Sequence, residues 1–322
     1  MTKIITMAVP PRRHGTPLRA QAQLRPRLSA DVIAELAVRA TPRDLWLLRM
    51  LAEHRVLTSP QIAQLAFGSA ATARHRLIGL WRMRAIDRAQ PFTASGSAPM
   101  HYVLGDAGAA VLAERAGTTP KDAGYRRERV LAVFASTRLW HSTGANGVMT
   151  ALVATARARA GSALAAWWPE HRCAGQWGTM ARPDAYGRWR QDGGDTDFFL
   201  EYDNGTEDAA RIAAKLPGYA ALARATGINT PVLIWFPSAG REAAVRPALS
   251  GTRVPVATAS PASDASPADA VWLTAGRDGP RLPLAALAIR PPRARVSQAA
   301  ALPPPPPESS LTGGPVLPMP PP

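Results

Sequence analysis

Between residues 183 and 207 the chain carries two strand-like runs, 183–190 and 196–203, followed at once by a helix start at Thr206. Side chains alternate across a strand, so Asp197, Phe199, Glu201 and Asp203 share one face while Phe198, Leu200 and Tyr202 take the other. Thr206 is a strong N-cap, and Glu207 and Asp208 in the first turn complement the helix dipole. The helix runs on through Ile212, Leu216, Tyr219 and Leu222 and is ended by Gly227. Asp184 thus opens one strand while Glu201 and Asp203 close its neighbour. Three carboxylates placed in this way offer hard oxygen ligands to a divalent cation, Mg²⁺ or Mn²⁺.

The flanking residues extend the pattern. A long helical stretch, 126–161, is expected to break around 141–147, and a first strand follows at 163–170. After the Thr206 helix come a short buried strand at 231–236, a helix at 242–249, a strand at 254–259 and an edge at 271–274. The order is helix, three strands, helix, strand, helix, strand, which makes 121–276 an α/β domain on a mixed sheet.

Residues 29–120 have a different pattern, helices and then a hairpin. Thr41-Pro42 supplies an N-cap and first-turn proline, Thr58-Ser59-Pro60 a second start, and Ser69 a third helix running to about Arg84. Strand-like runs at 85–92 and 100–104 follow, then a helix from Asp106 to about Gly117. This is the order of a winged helix-turn-helix domain. In its third helix Leu77, Leu80, Trp81 and Arg84 fall on one face, and Thr72, His75, Arg76, Gly79 and Arg82 on the other. A face of that composition suits a major groove, with Arg88 and His101 placed as wing residues. An ordinary solvated face in a helical interaction module is the competing reading.

Composition agrees with duplex DNA as partner. The formal net charge is +15 over 322 residues, and cations that neutralise phosphates gain by releasing counterions. Residues 1–28 form a basic arm with no acidic side chain, and 277–322 a proline-rich tail expected to be extended, as a spacer or a docking segment. The single cysteine, Cys173, excludes an internal disulfide framework and a cysteine zinc site. No apolar run reaches the length of a membrane span, so a cytoplasmic chain is expected.

Pro183-Asp184, Glu201 and the element order resemble the PD-(D/E)xK nuclease fold. The lysine usual two residues after the second acid is replaced here by Asp203. Members of that superfamily can supply it from the following helix, where Lys215 stands. The resemblance implies Asp184 and Glu201 as metal ligands, Asp203 as a further ligand or a positioning group, and Lys215 as the charge stabiliser. Glu170 is a further acidic candidate, whereas Glu207 fits a helix terminus better than a ligand set.

Taken whole, Trp140-His141, Trp168-Pro169-Glu170, the segments around Asp184 and Glu201, and Lys215-Leu216-Pro217-Gly218-Tyr219 resemble the replication-relaxation family. The likeness spans roughly residues 40–250. It implies an α+β protein of plasmid or mobile-element replication, working with replication or transfer proteins. Two activities are compatible with it: a metal-dependent DNA nuclease or nickase, or a non-catalytic regulator that binds DNA through its winged helix.

Overall fold

The computed structural model describes residues 26–93, 96–227, 229–262, 265–277, 279–287 and 316–320. Most of the basic arm and of the proline-rich tail lies outside these residues. The chain is α+β and divides at Thr150 into two units, with residues 316–320 grouped with the first.

The first unit begins with α1 (Ala30–Arg39), capped by Ser29. Helix α2 (Pro42–His54) has a complete capping box between Thr41 and Asp44, and a two-residue strand β1 (Leu57–Thr58) leads into α3 (Ser59–Ala66), boxed by Thr58 and Gln61. Ser69 caps α4 (Ala70–Arg82), as its hydroxyl accepts the Thr72 N–H. Strands β2 (Ile86–Ala89) and β3 (His101–Leu104) pair antiparallel, and β1 adds to the other edge of β3. Helix α5 (Asp106–Arg115) follows, capped by Gly105, so Asp106 lies inside the first turn instead of at the cap.

The unit continues beyond the boundary at residue 120 that the sequence suggested. Helix α6 (Arg127–Ala132) ties back through Arg127, whose Nη1 lies 2.9 Å from Asp87 and 2.8 Å from Asp106. Helix α7 (Leu139–Ala158) runs unbroken through Gly144 and Gly147, where a break was expected. The interruption falls earlier, at a 3₁₀ turn over Val133–Ala135. Gln61 donates to the Thr143 carbonyl at 2.6 Å and Asn146 to the Val56 carbonyl at 2.9 Å. These buried bonds explain why the first half of α7 belongs to this unit: long-range polar partners outweigh local glycine propensity.

The second unit is built on a six-stranded mixed sheet in sequence order. Strands β4 (Ser162–Pro169), β5 (Ala185–Gln191) and β6 (Gly194–Tyr202) are antiparallel. A helix the sequence did not suggest, α8 (Glu170–Trp177), fills the connection from β4 to β5. After β6 the expected single helix is two, α9 (Ala209–Ala213) capped by Asp208, and α10 (Leu216–Thr226). The physical cause is Pro217, which cannot donate to a continuing helix and is tolerated only in a first turn. Strand β7 (Val232–Trp235), helix α11 (Ala239–Val245) and strand β8 (Val256–Ala259) follow, β7 and β8 parallel to β6, with β9 (Leu273–Thr274) antiparallel at the edge.

One sheet face carries Trp168, Tyr186 and Phe199, which meet Trp177 and Tyr219 with ring centroids 5.1 to 5.9 Å apart. Burying each ring contributes about 1.5–3 kcal/mol, so this cluster sets how α8 and α10 lie on the sheet. The folded unit also runs past residue 276: Trp272 and Leu282 form a bridge, and Leu284 is fully buried. No helix among the described residues is long and apolar enough to cross a membrane.

Candidate functional site

In the second unit the register of β5 and β6 brings two of the expected acids into one neighbourhood. The Asp184 N–H donates to the Leu200 carbonyl at 3.0 Å, and its Oδ2 accepts the Tyr202 N–H at 2.8 Å. Asp184 therefore prolongs the ladder by one step, its side chain standing in for a backbone carbonyl. Glu201, the penultimate residue of β6, is 5% exposed and points to the helical side of the sheet. Its Oε2 accepts from Lys215 Nζ at 2.9 Å and its Oε1 from the Tyr219 hydroxyl at 2.5 Å.

Lys215 sits at the break between α9 and α10, in the N-cap position of α10. A kink there lets the ammonium reach Glu201 and, at 3.3 Å, Glu207. Glu207, expected to serve a helix terminus, lies before α9 and adds a second negative charge beside the lysine.

Asp203 lies apart from this group. It is one residue beyond β6, where its Oδ1 accepts the Gly205 N–H at 2.9 Å and its Oδ2 the Arg241 Nε–H at 2.6 Å. Arg241 also donates to the Glu207 carbonyl. Asp203 lies beyond the end of β6, and a charged partner from α11, 38 residues along the chain, holds it there.

The electrostatics follow from burial. Loss of water and the Asp184 charge push the Glu201 carboxyl up to about 7, against the pull of Lys215 and Tyr219. Burial works to lower the Lys215 pKa, but Glu201, Asp184 and Glu207 outweigh it and hold the ammonium above its usual value. Burial, reinforced by the Glu201 charge, raises the Tyr219 phenol well above its usual value, so it stays a proton donor.

Two carboxylates fit a hard divalent cation completed by water, the coordination Mg²⁺ often takes. Lys215 and Tyr219 use two of about four acceptor positions on Glu201. Among the described residues no three His, Cys, Asp or Glu side chains are grouped as a metal set. Asp184 and Glu201 are thus the acids of this group, and Asp203 stands outside it.

Helical spacing places Tyr219 with Ile212, Leu216 and Leu222 and gives it no part in the acid group. Its spacing of four from Lys215 was a usable signal, since i and i+4 share a helix face. For Arg241 no sequence signal existed.

In the first unit, α4 buries Ala73, Leu77, Leu80 and Trp81, as the periodicity required. Thr72, His75 and Arg82 are exposed, and so is Arg74, which the sequence reading did not single out. Arg76 is committed elsewhere. Its Nε donates to Asp44 Oδ1 at 2.8 Å, and Nη2 bonds both Asp44 Oδ2 and the Arg39 carbonyl. Burial would raise the Asp44 pKa, yet the bonds from Arg76 and Thr41 keep it below its usual value. Arg88 lays its guanidinium 4.2 Å from the Trp81 ring centroid. His101 is fully buried, its Nδ1 2.8 Å from the Pro99 carbonyl and its ring edge-on to Trp140. It lines no surface.

Fold and site together define an α+β protein of two units, one helical with a small antiparallel sheet, the other a mixed sheet bearing a buried acid–lysine–tyrosine group. The chain belongs to the replication-relaxation family, whose pattern matches residues 48–237, more than half its length. No curated protein and no solved structure matches it.

Proposed function

We propose that this chain is a DNA-binding protein of replication or relaxation of a mobile element, carrying a nuclease-like site in its second unit. The first unit is read as a winged helix: three helices and an antiparallel sheet follow α1, and the outer face of α4 offers Arg74, His75, Thr72 and Arg82 to a groove. Arg88, in the wing strand, supports the domain through Trp81. The second unit is read as a PD-(D/E)xK-type domain. The observation that carries this part is Lys215, which reaches Glu201 from the helix break while Asp184 acts on both.

In this reading Asp184 and Glu201 hold Mg²⁺ or Mn²⁺, whose positive charge would polarise a phosphoryl oxygen. Lys215 offsets the negative charge that develops on the phosphate. Tyr219 fixes the Glu201 carboxylate by its hydrogen bond. Asp203, held by Arg241, keeps the β6–α9 loop in place. A non-catalytic regulator is the second reading, favoured by one feature: both Glu201 oxygens already have donors within the chain.

Supercoiled plasmid with Mn²⁺ separates the two. Nicking by the wild type, lost in Asp184→Asn and Lys215→Met while duplex binding persists, supports the nuclease. Duplex binding without nicking in any divalent metal leaves the regulator, and loss of both removes the proposal.

A further inference from the structure

The proline-rich tail returns to the first unit. Among residues 316–320, Val316 and Pro318 are buried while Leu317 between them is 70% exposed. The indole N–H of Trp46, on α2, donates to the Leu317 carbonyl at 2.9 Å. Trp46 is itself only 6% exposed.

These features form one recognition pattern. Residues 316–320 belong to no strand, so no backbone ladder holds them. Pro318 and Pro320 have no N–H to give, so carbonyls are the more numerous backbone handles in this segment. A proline restricts the residue before it to extended geometry, so Leu317 is already shaped to present its carbonyl. The segment bends at Pro318 and Met319, so Trp46 holds it through one carbonyl set between two buried apolar side chains, a contact a short proline-bearing peptide can make. Low ordering cost makes such short contacts worthwhile although each is weak.

We propose that the Trp46 surface of the first unit is a peptide-docking site for a short proline-bearing segment, and that its occupant is the chain's own Val316-Leu317-Pro318-Met319-Pro320. Twenty-eight residues, 288–315, separate this segment from the last described residue of the second unit. A connection of that length supplies the segment at an effective concentration on the order of 1 mM. Docking in cis is then reversible and open to competition. The site is independent of the DNA reading: Asp44, which holds Arg76, lies two residues from Trp46 and so on the opposite side of α2.

The test uses the full chain and a fluorescent peptide of residues 311–322, followed by anisotropy. Pro318→Glu in the full chain releases the tail, and the peptide should bind this form about tenfold more tightly than wild type, because the tethered competitor is gone. Adding Trp46→Phe, which keeps a ring and removes the N–H, should weaken that binding by about tenfold or more. A peptide carrying Pro318→Glu should bind neither form, a comparison that stands even where Trp46→Phe fails to fold. Equal affinity for wild-type and Pro318→Glu chains, binding retained with Trp46→Phe, or no peptide binding to any form would overturn the proposal.

Discussion

Arg76 and Arg82 stand six residues apart on one helix, carry the same charge, and do different work. Arg76 is 31% exposed and forks onto Asp44, itself 2% exposed, whereas Arg82 faces solvent. Removing Arg76 strands a buried carboxylate, so Arg76→Ala should cost about 2–3 kcal/mol of stability, measured by thermal or urea unfolding. Arg74→Ala and Arg82→Ala should leave stability within about 0.5 kcal/mol. Under the proposed DNA reading, each should instead weaken duplex binding and reduce the log–log salt slope by about one. Unchanged isotherms across salt would remove α4 as the binding helix. Charge and spacing alone gave both arginines one assignment, because the partner that distinguishes them lies 32 positions earlier.

At the scale of elements, α10 is the piece that assembles the acid site, and Gly218 determines how closely it approaches. A Cβ at that position would lie 2.2 Å from the Met180 carbonyl oxygen, a rigid backbone atom. Lys215 and Tyr219 flank Gly218 and both reach Glu201. Gly218→Ala should push α10 outward, cost about 1–3 kcal/mol, and loosen both bonds together. Hydrogen exchange of the α10 amides should rise by an order of magnitude or more, while α2 and α4 in the first unit keep their protection. Unchanged exchange in α10 would mean the helix seats without this contact. Helix existence is legible from periodicity and Gly227, whereas the apolar spacing runs straight across Pro217 and hides the break there.

Over the whole molecule the buried acids pull stability in opposite directions. Asp44, Asp106 and Glu242 are desolvated, but their arginine partners hold all three below the usual carboxylate range. Their contribution is present above that range and is lost as pH falls through their lowered values. Glu201 is shifted upward, so its folded form binds protons more tightly than the unfolded chain. Its ionisation costs stability as pH rises from the usual carboxylate range through about 7. Stability should therefore peak in mildly acidic solution, roughly pH 4.5–6. Glu201→Gln should flatten the alkaline side of that profile, and Asp44→Asn the acidic side, in denaturant titrations across pH. A wild-type maximum above pH 8 would show that Glu201 is not the dominant buried acid.

Local code in the sequence determined the elements: capping boxes at Thr41 and Thr58, the Ser69 cap, alternation along β6, and helical spacing in α4 each follow from contacts within a few residues. The same local code placed Asp184, Glu201 and Asp203 near one another, because the ends of neighbouring strands are joined by connectivity, whereas Lys215 enters only through the resemblance to the nuclease fold. Tertiary structure alone decided which charges remain available. Arg241 claims Asp203, Asp44 claims Arg76, α7 packs its first half on the first unit, and Trp46 receives a segment 271 residues away. Those pairings rest on desolvation and long-range complementarity, quantities that exist only once distant parts of the chain share one interior.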